Sequence, residues 1–304
     1  MNAKFTEAII ELRADIAAIE KDTSLYEEIN FDNRADAIDF IDFHIIDRID
    51  RLQPGKEFDV VKHHAKKVKC ALESVDMRMF EQLRGQIKNN VLTASSFAEV
   101  IRNYVRTSSK SRDNIGYDNL DTFMNGLLFI GVIPDPIRAL ESDMVFYQKI
   151  PARIVFEMAG LLNINQDDFF CDIGSGLGQA AILVNLISGA NAIGIEYETA
   201  YCDYARKCAS QLNLPKVTFT NEDARKADYS CGTIFFLYTP FGGKMLQDVL
   251  NLLQKESTKR TIRIFTYGPC SLKVSQQNWL SGLTGNGDDL YKLYEFESLS
   301  QCDT

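Results

Sequence analysis

The sequence predicts an α/β protein: an open, doubly wound, mostly parallel sheet in residues 141–304, preceded by an α-helical domain in residues 1–140. Three observations predict it. Residues 169–179 (FFCDIGSGLGQ) pass from an apolar run into a glycine-spaced turn and then into a helical pattern, the start of a strand–turn–helix unit. Further apolar runs at 191–196, 216–220, 233–238, 260–267 and 291–297 follow, most with room for crossover helices between them. The first 140 residues instead carry apolar stripes at spacings of 3 and 4. A closing hairpin for the sheet has no clear signal.

The helical stripes are Phe5, Ile9, Leu12, Ile16 and Ile19; Ile38, Ile41, Ile45 and Ile49; and Val61, Ala65, Val68, Leu72, Val75 and Met79. A bundle or cap explains them, and a dimerising coiled coil through these helices is the sharper alternative. Pro54-Gly55 breaks the chain between helices, and the polar run 107–114 reads as a loop. Residues 121–133 read as a helix, followed by the Pro134-Asp135-Pro136 turn.

The glycine turn carries the chemistry. Gly174 and Gly176 allow a sharp bend and close approach of a ligand, and the helix opening at Gln179 offers free N–H groups. A dinucleotide site has G-x-G-x-x-G. Here Gly178 arrives one residue early and Asp172 ends the strand, which disfavours an NAD oxidoreductase. Glu196 ends the next strand, where an acid can take two ribose hydroxyls. Asp223-Ala224 follows the third strand and also reads as a plain turn. Tyr238-Thr239-Pro240-Phe241 follows the fourth, at the carboxyl edge where ligands of open α/β sheets bind.

The pattern from Asp172 to Gly178, D-x-G-x-G-x-G, resembles motif I of the class I S-adenosylmethionine-dependent methyltransferases, whose sheet is Rossmann-like. The resemblance implies S-adenosyl-L-methionine as cofactor. Its sulfonium and ammonium are cationic, so an acid at Asp172 is favourable. It implies cofactor contacts from Asp172, Gly174, Ser175, Gly176, Gly178 and Gln179, ribose contact from Glu196, and adenine contact from Asp223 beside the small Ala224. Tyr238, Thr239, Pro240 and Phe241 are similar to the Asn/Asp/Ser-Pro-Pro-Tyr/Phe motif of amine methyltransferases, with Thr239 in the polar position and one proline. That motif implies catalytic positioning of an amine. Residues 143–179 further resemble the histone-lysine methyltransferases that lack a SET domain, through Asp167-Asp168 and the run Gly174–Gln179 (GSGLGQ). Tyr147 falls at that family's cofactor-covering loop, while Gln148-Lys149-Ile150 depart from it. The implied activity is N-methylation of an amine, a protein lysine first. A small-molecule N- or O-methyltransferase and a non-catalytic binding scaffold are the alternatives.

Composition bounds the partners. The net charge of −9 is shared by both halves, which argues against nucleic acid and toward a basic protein or small amine as methyl acceptor. The run 62–69 (KHHAKKVK) reads as a solvated helix face. No apolar run is long enough to span a bilayer, and the charged start is unlike a secretory signal. Seven cysteines without a C-x-x-C pair point to free thiols and a cytoplasmic location. The three histidines all lie at or before residue 64, and no metal site is expected.

Overall fold

Seven strands form one sheet: β1 (Phe169–Ile173), β2 (Asn191–Glu196), β3 (Val217–Asn221), β4 (Ile234–Leu237), β5 (Arg263–Thr266), β6 (Leu280–Gly282) and β7 (Tyr294–Ser298). Their order is β3-β2-β1-β4-β5-β7-β6. The first five are parallel, and β7 runs antiparallel to both β5 and β6. This is the doubly wound, Rossmann-like class I methyltransferase arrangement that the motif resemblance implies. The computed structural model describes residues 3–51, 55–106, 116–129, 131–161, 164 and 167–299, with the backbone alone at 3–5 and 161. Pro54 and the polar run 107–114 lie outside the described residues.

The chain divides into two compact units. One holds residues 1–85, 99–111 and 117–127; the other holds 86–98, 112–116 and 128–304. Residues 128–140 therefore go with the sheet. The physical reason is an anchor: the Glu198 carboxylate accepts the N–H groups of Ile137 and Arg138.

The helical unit is built on α1 (Ala3–Lys21), α2 (Phe31–Phe40), α3 (Asp47–Arg51), α4 (Lys56–Lys88), α5 (Ala94–Tyr104) and α6 (Asn119–Leu128), of which α4, α5 and α6 cross the division. A π-helical turn, Ile41–Ile46, joins α2 to α3. The apolar stripes meet in one cluster: Ile9, Leu12 and Ile16 pack with Ile41, Ile45, Ile49, Val61, Ala65, Val68 and Leu72. These residues are thus spent on the unit's own core. Helix α6 ends at Leu128, short of the expected 133, where Arg84 takes the carbonyls of Gly126 and Leu127.

Arg34 is fully buried in this unit. Its Nε donates to Asp76 Oδ1 at 2.6 Å, its Nη1 to the carbonyls of Leu25 and Glu27, and its guanidinium lies 5.8 Å from the Phe31 ring centroid. Phe31, Phe80 and Phe123 pack edge-to-face beside it.

In the second unit, one face of the sheet buries Cys171, Ile173, Phe235, Leu237 and Ile264 under α10 (Gly243–Ser257), which contributes Met245, Leu246, Val249, Leu250 and Leu253. Helices α7 (Ala152–Leu161), α8 (Gln179–Ser188), α9 (Thr199–Gln211) and α11 (Cys270–Ser275) complete the unit. The expected strand at 291–297 is β7, displaced to 294–298. The three-residue β6 had no sequence signal because so short a strand shows no alternation. Among the described residues no helix is long and apolar enough to cross a membrane.

Arg34→Ala should lower stability by roughly 3 kcal/mol, because it leaves the half-buried Asp76 carboxylate and the Leu25 and Glu27 carbonyls without their partner. Denaturant unfolding of the full chain, followed by helical circular dichroism, measures this. A loss under about 1 kcal/mol would contradict a structural role for the buried pair.

Candidate functional site

From β1 the chain winds to β2 and β3 on one side, and from β4 to β5 on the other. The crevice outside the carboxyl ends of β1 and β4 is the topological switch point. The glycine turn lies there. Gly174 and Ser175 both donate their N–H to the Ile195 carbonyl, at 2.8 and 3.0 Å, and Gly178 N–H closes the turn onto Ser175 O at 2.8 Å. Gly174 and Gly176 have φ of +79° and +51°. A Cβ on Gly174 would lie 2.2 Å from Pro240 Cβ, and one on Gly176 2.2 Å from Tyr147 Cε2. Two other segments therefore seat directly on this turn, and only glycine admits them.

Three acids lie at or just past the carboxyl ends of β1, β2 and β3. Glu196 accepts Gly176 N–H on Oε2 and Glu198 N–H on Oε1, both at 2.7 Å. Burial raises the Glu196 pKa, against the pull of those two bonds. Asp172 is buried and pushed up to about 7, by desolvation first and by the charge of Glu196 second. Asp223 is half-buried and held below the usual carboxylate range, chiefly by hydrogen bonds from Arg225. Ala224 is buried beside it. Ser175 Oγ and Gln179 Oε1 are buried without a hydrogen-bond partner, although Gln179 Nε2 donates to Ile150 O. Orphaned polar atoms at this turn are expected where a ligand completes the site.

Segment 131–151 has no helix or strand and crosses the carboxyl ends of the strands as a strap. Glu198, just past β2, accepts Ile137 and Arg138 N–H on Oε2 at 3.0 and 2.7 Å. Burial would raise this carboxyl, but the N–H groups of Ala200, Arg138 and Ile137 outweigh it and lower the pKa. Glu141 accepts from Arg225, just past β3, at 2.7 Å. Asp143 Oδ2 accepts Lys244 and Met245 N–H at the start of α10, at 3.0 and 3.2 Å, and Asp143 O accepts Gly242 N–H. Val145 N–H donates to Pro240 O, and Met144 bridges Phe241. Tyr147 then lies over Gly176, 5.2 Å from the Tyr201 ring.

The turn after β4 contains a conformational outlier. Thr239 has φ of +40°, rare for a β-branched residue. Its hydroxyl donates to Tyr267 O at 3.2 Å and accepts Cys270 N–H at 3.3 Å, so it faces the turn after β5. Phe241 is buried in the core with Met245 and Leu237. Tyr238 is half-buried, its ring 5.5 Å from that of Tyr267. Arg153 Nη2 lies 3.5 Å from the Tyr267 hydroxyl, and Tyr291 and Asp289 are near enough to act on it electrostatically. Burial raises this phenol, and Arg153 partly opposes the rise.

The expected residues thus gather around one crevice, with Thr239 and Phe241 turned to structural tasks. Glu141, Asp143, Glu198, Arg225 and Tyr267 are additions. Glu198 had a local signal as an acid opening a helix. Asp143 had none, since its partners lie about a hundred positions downstream.

Residues 141–230 match the family model described as histone methylation protein DOT1. No curated protein matches the chain. Similar solved structures include an RNA methyltransferase from Salinibacter ruber in complex with S-adenosyl-L-homocysteine, 22% identical over 50% of this chain and 92% of that one, with a TM-score of 0.41. The putative methyltransferase yhhF from Escherichia coli is 17% identical over 49% of this chain and 88% of its own, with a TM-score of 0.41. A SAM-dependent methyltransferase from Geobacter sulfurreducens in complex with S-adenosyl-L-homocysteine is 18% identical over 42% and 54%, with a TM-score of 0.34.

Asp143→Ala removes the cap of α10 and one strap anchor together. The expected loss is about 1 kcal/mol of stability, with faster protease cleavage within 131–149. Limited proteolysis followed by mass mapping reads the second effect. Unchanged cleavage would mean that the remaining anchors hold the strap alone.

Proposed function

The chain is a class I S-adenosylmethionine-dependent methyltransferase, and from that premise we propose that it methylates an amine nitrogen, with a protein lysine as the acceptor. The observation that carries this reading is the acceptor side of the crevice. Tyr238 and Tyr267 pack there; Arg153 lies 3.5 Å from the Tyr267 hydroxyl, and Tyr291 and Asp289 are also within electrostatic reach of it. Aromatic faces beside an acid suit a cationic or amine-bearing acceptor. The match to a histone methylation family model and the net charge of −9 both support a basic protein. Six described cysteines are free, which fits a reducing compartment such as the cytoplasm.

The cofactor supplies a methyl group made electrophilic by its sulfonium. Asp172 and the turn Gly174, Ser175, Gly176, Gly178 and Gln179 would hold its amino-acid end under Tyr147. Glu196 takes Gly176 and Glu198 N–H, with Tyr197 N–H also acting on it, on a group with about four acceptor directions, which leaves room for a ribose hydroxyl. Asp223 and Ala224 would meet the adenine. The two orphaned atoms, Ser175 Oγ and Gln179 Oε1, fit a polar ligand at this turn.

The protein's part in the transfer is alignment. All three histidines precede residue 65, so the second unit offers no imidazole base. Tyr238 and the backbone carbonyls after β4 would orient the amine, and Phe241 would brace that turn from the core. The amine proton leaves to water or is shed beforehand in a site that lowers the amine pKa.

Methyl transfer from labelled cofactor to histones, polyamines and RNA tests the acceptor. Labelling of histone lysines supports the proposal; labelling confined to polyamines or RNA overturns it. Tyr238→Phe should lower kcat roughly tenfold, about 1.4 kcal/mol, while S-adenosylhomocysteine affinity stays within about twofold. Equal loss of both would move Tyr238 to the cofactor side.

Asp172 gives a pH prediction with a definite sign. Its free-state pKa is about 7, and a cationic ligand favours the ionised form. Binding of S-adenosylmethionine should therefore release a proton below pH 7. Affinity should rise up to about tenfold per pH unit until pH 7 and then level. Calorimetry in buffers of different ionisation enthalpy measures the proton count, and Asp172→Asn should abolish the pH dependence.

A further inference from the structure

We propose that Arg225 is a positioning residue that presents the Asp223 carboxylate to the adenine amino group and ties that end of the cofactor site to the strap through Glu141. The inference rests on the cofactor reading above and concerns a residue outside the motif that suggested it.

The geometry is a bridge made by the backbone N–H, the Nε–H and the two Nη2 hydrogens of Arg225. Arg225 N–H and Nε–H reach Asp223 Oδ1, each at 2.9 Å. Nε also lies 3.0 Å from Oδ2, and Nη2 donates to Oδ2 at 2.6 Å. The second Nη2 hydrogen goes to Glu141 Oε1 at 2.7 Å. Three N–H groups thus meet a carboxylate with about four acceptor directions, leaving room for one more donor. An exocyclic amino group supplies one N–H, whereas a 6-oxo base in its place offers only an acceptor. A carboxylate fixed by a planar fork cannot swing to lose this preference, which is the advantage of a guanidinium over an ammonium at such a place.

The bridge has little other purpose. Arg225 is about a third exposed, and its partner Glu141 is exposed. Ion pairs of that kind contribute little to folding. Burial at Asp223 works against its ionisation, and the Arg225 hydrogen bonds outweigh burial, so it stays a charged acceptor across the neutral range. Glu141 belongs to the strap that carries Tyr147 to Gly176. Order at the adenine end and order over the glycine turn are therefore mechanically connected.

The experiment compares S-adenosylhomocysteine with S-inosylhomocysteine, which carries the 6-oxo base, by calorimetry on the full chain. The wild type should prefer the amino form by roughly tenfold or more. Arg225→Gln should reduce that preference to within about threefold while leaving the melting temperature near that of the wild type. Arg225→Lys should be intermediate, because an ammonium keeps the charge without the fork. Glu141→Gln should keep the base preference but lose the protection that S-adenosylhomocysteine gives the strap against limited proteolysis. An unchanged preference in Arg225→Gln overturns the positioning role and leaves the cofactor reading intact. Equal protection of the strap in all proteins overturns the coupling. Failure of the wild type to bind either compound overturns the cofactor reading, and this inference with it.

Discussion

The site depends on the way the Glu196 carboxylate is satisfied. A buried anion is costly unless donors surround it. Here the donors are Gly176 N–H and Glu198 N–H, one from the glycine turn and one from the entry to α9. A single side chain therefore fixes the end of β2, the turn after β1 and the start of the next helix. The same charge lies near enough to Asp172 to raise its pKa. Two acids held this close disfavour an anionic ligand and favour one with positive charge. That electrostatic choice separates a sulfonium cofactor from a pyrophosphate one as firmly as the spacing of the glycines does.

A second constraint follows from the strap. Irregular backbone must find partners for its N–H and C=O groups. Segment 131–151 finds several: Ile137 and Arg138 N–H on Glu198 just beyond β2, and Val145 N–H and Asp143 O on the turn after β4, before Tyr147 reaches the turn after β1. Ionised carboxylates make strong acceptors for backbone N–H groups, so a few side chains can order a long segment. The strap's conformation is thereby coupled to the same strand ends that form the crevice. Phe146 and Val132 of the strap are exposed.

The fold was largely legible because parallel strands buried on both faces read as apolar runs, and the glycine turn marks the first of them. Glu196 was legible as ending a strand, and Asp223 and Tyr238 as following one, and strand ends are where such folds bind ligands. What was not legible depends on contacts between distant positions. Nothing near Asp143 says that it caps a helix starting at Gly243. Nothing near Arg225 says that Glu141 will meet it. Thr239 was misread for a related reason. A polar residue before a proline suggests a ligand contact, but its hydroxyl is claimed by the β5 turn, which only the sheet order brings alongside.

Thr239 also bears on what the acceptor meets. A left-handed β-branched residue costs about 1–3 kcal/mol of strain, and such strain persists only where its surroundings enforce it. The enforcement here is visible. Its hydroxyl is tied on both sides, and Gly268, with φ of +91°, makes room for it: a Cβ there would lie 2.7 Å from Thr239 Oγ1. The strained backbone delivers Pro240 onto Gly174 with no Cβ between them. With the hydroxyl so occupied, Thr239 offers an acceptor no side-chain group, and the polar character of this turn comes from its backbone carbonyls. Carbonyls accept and do not donate. Under the proposed function, carbonyl acceptors and aromatic faces would suit a nucleophile that carries its own N–H groups, as a primary amine does.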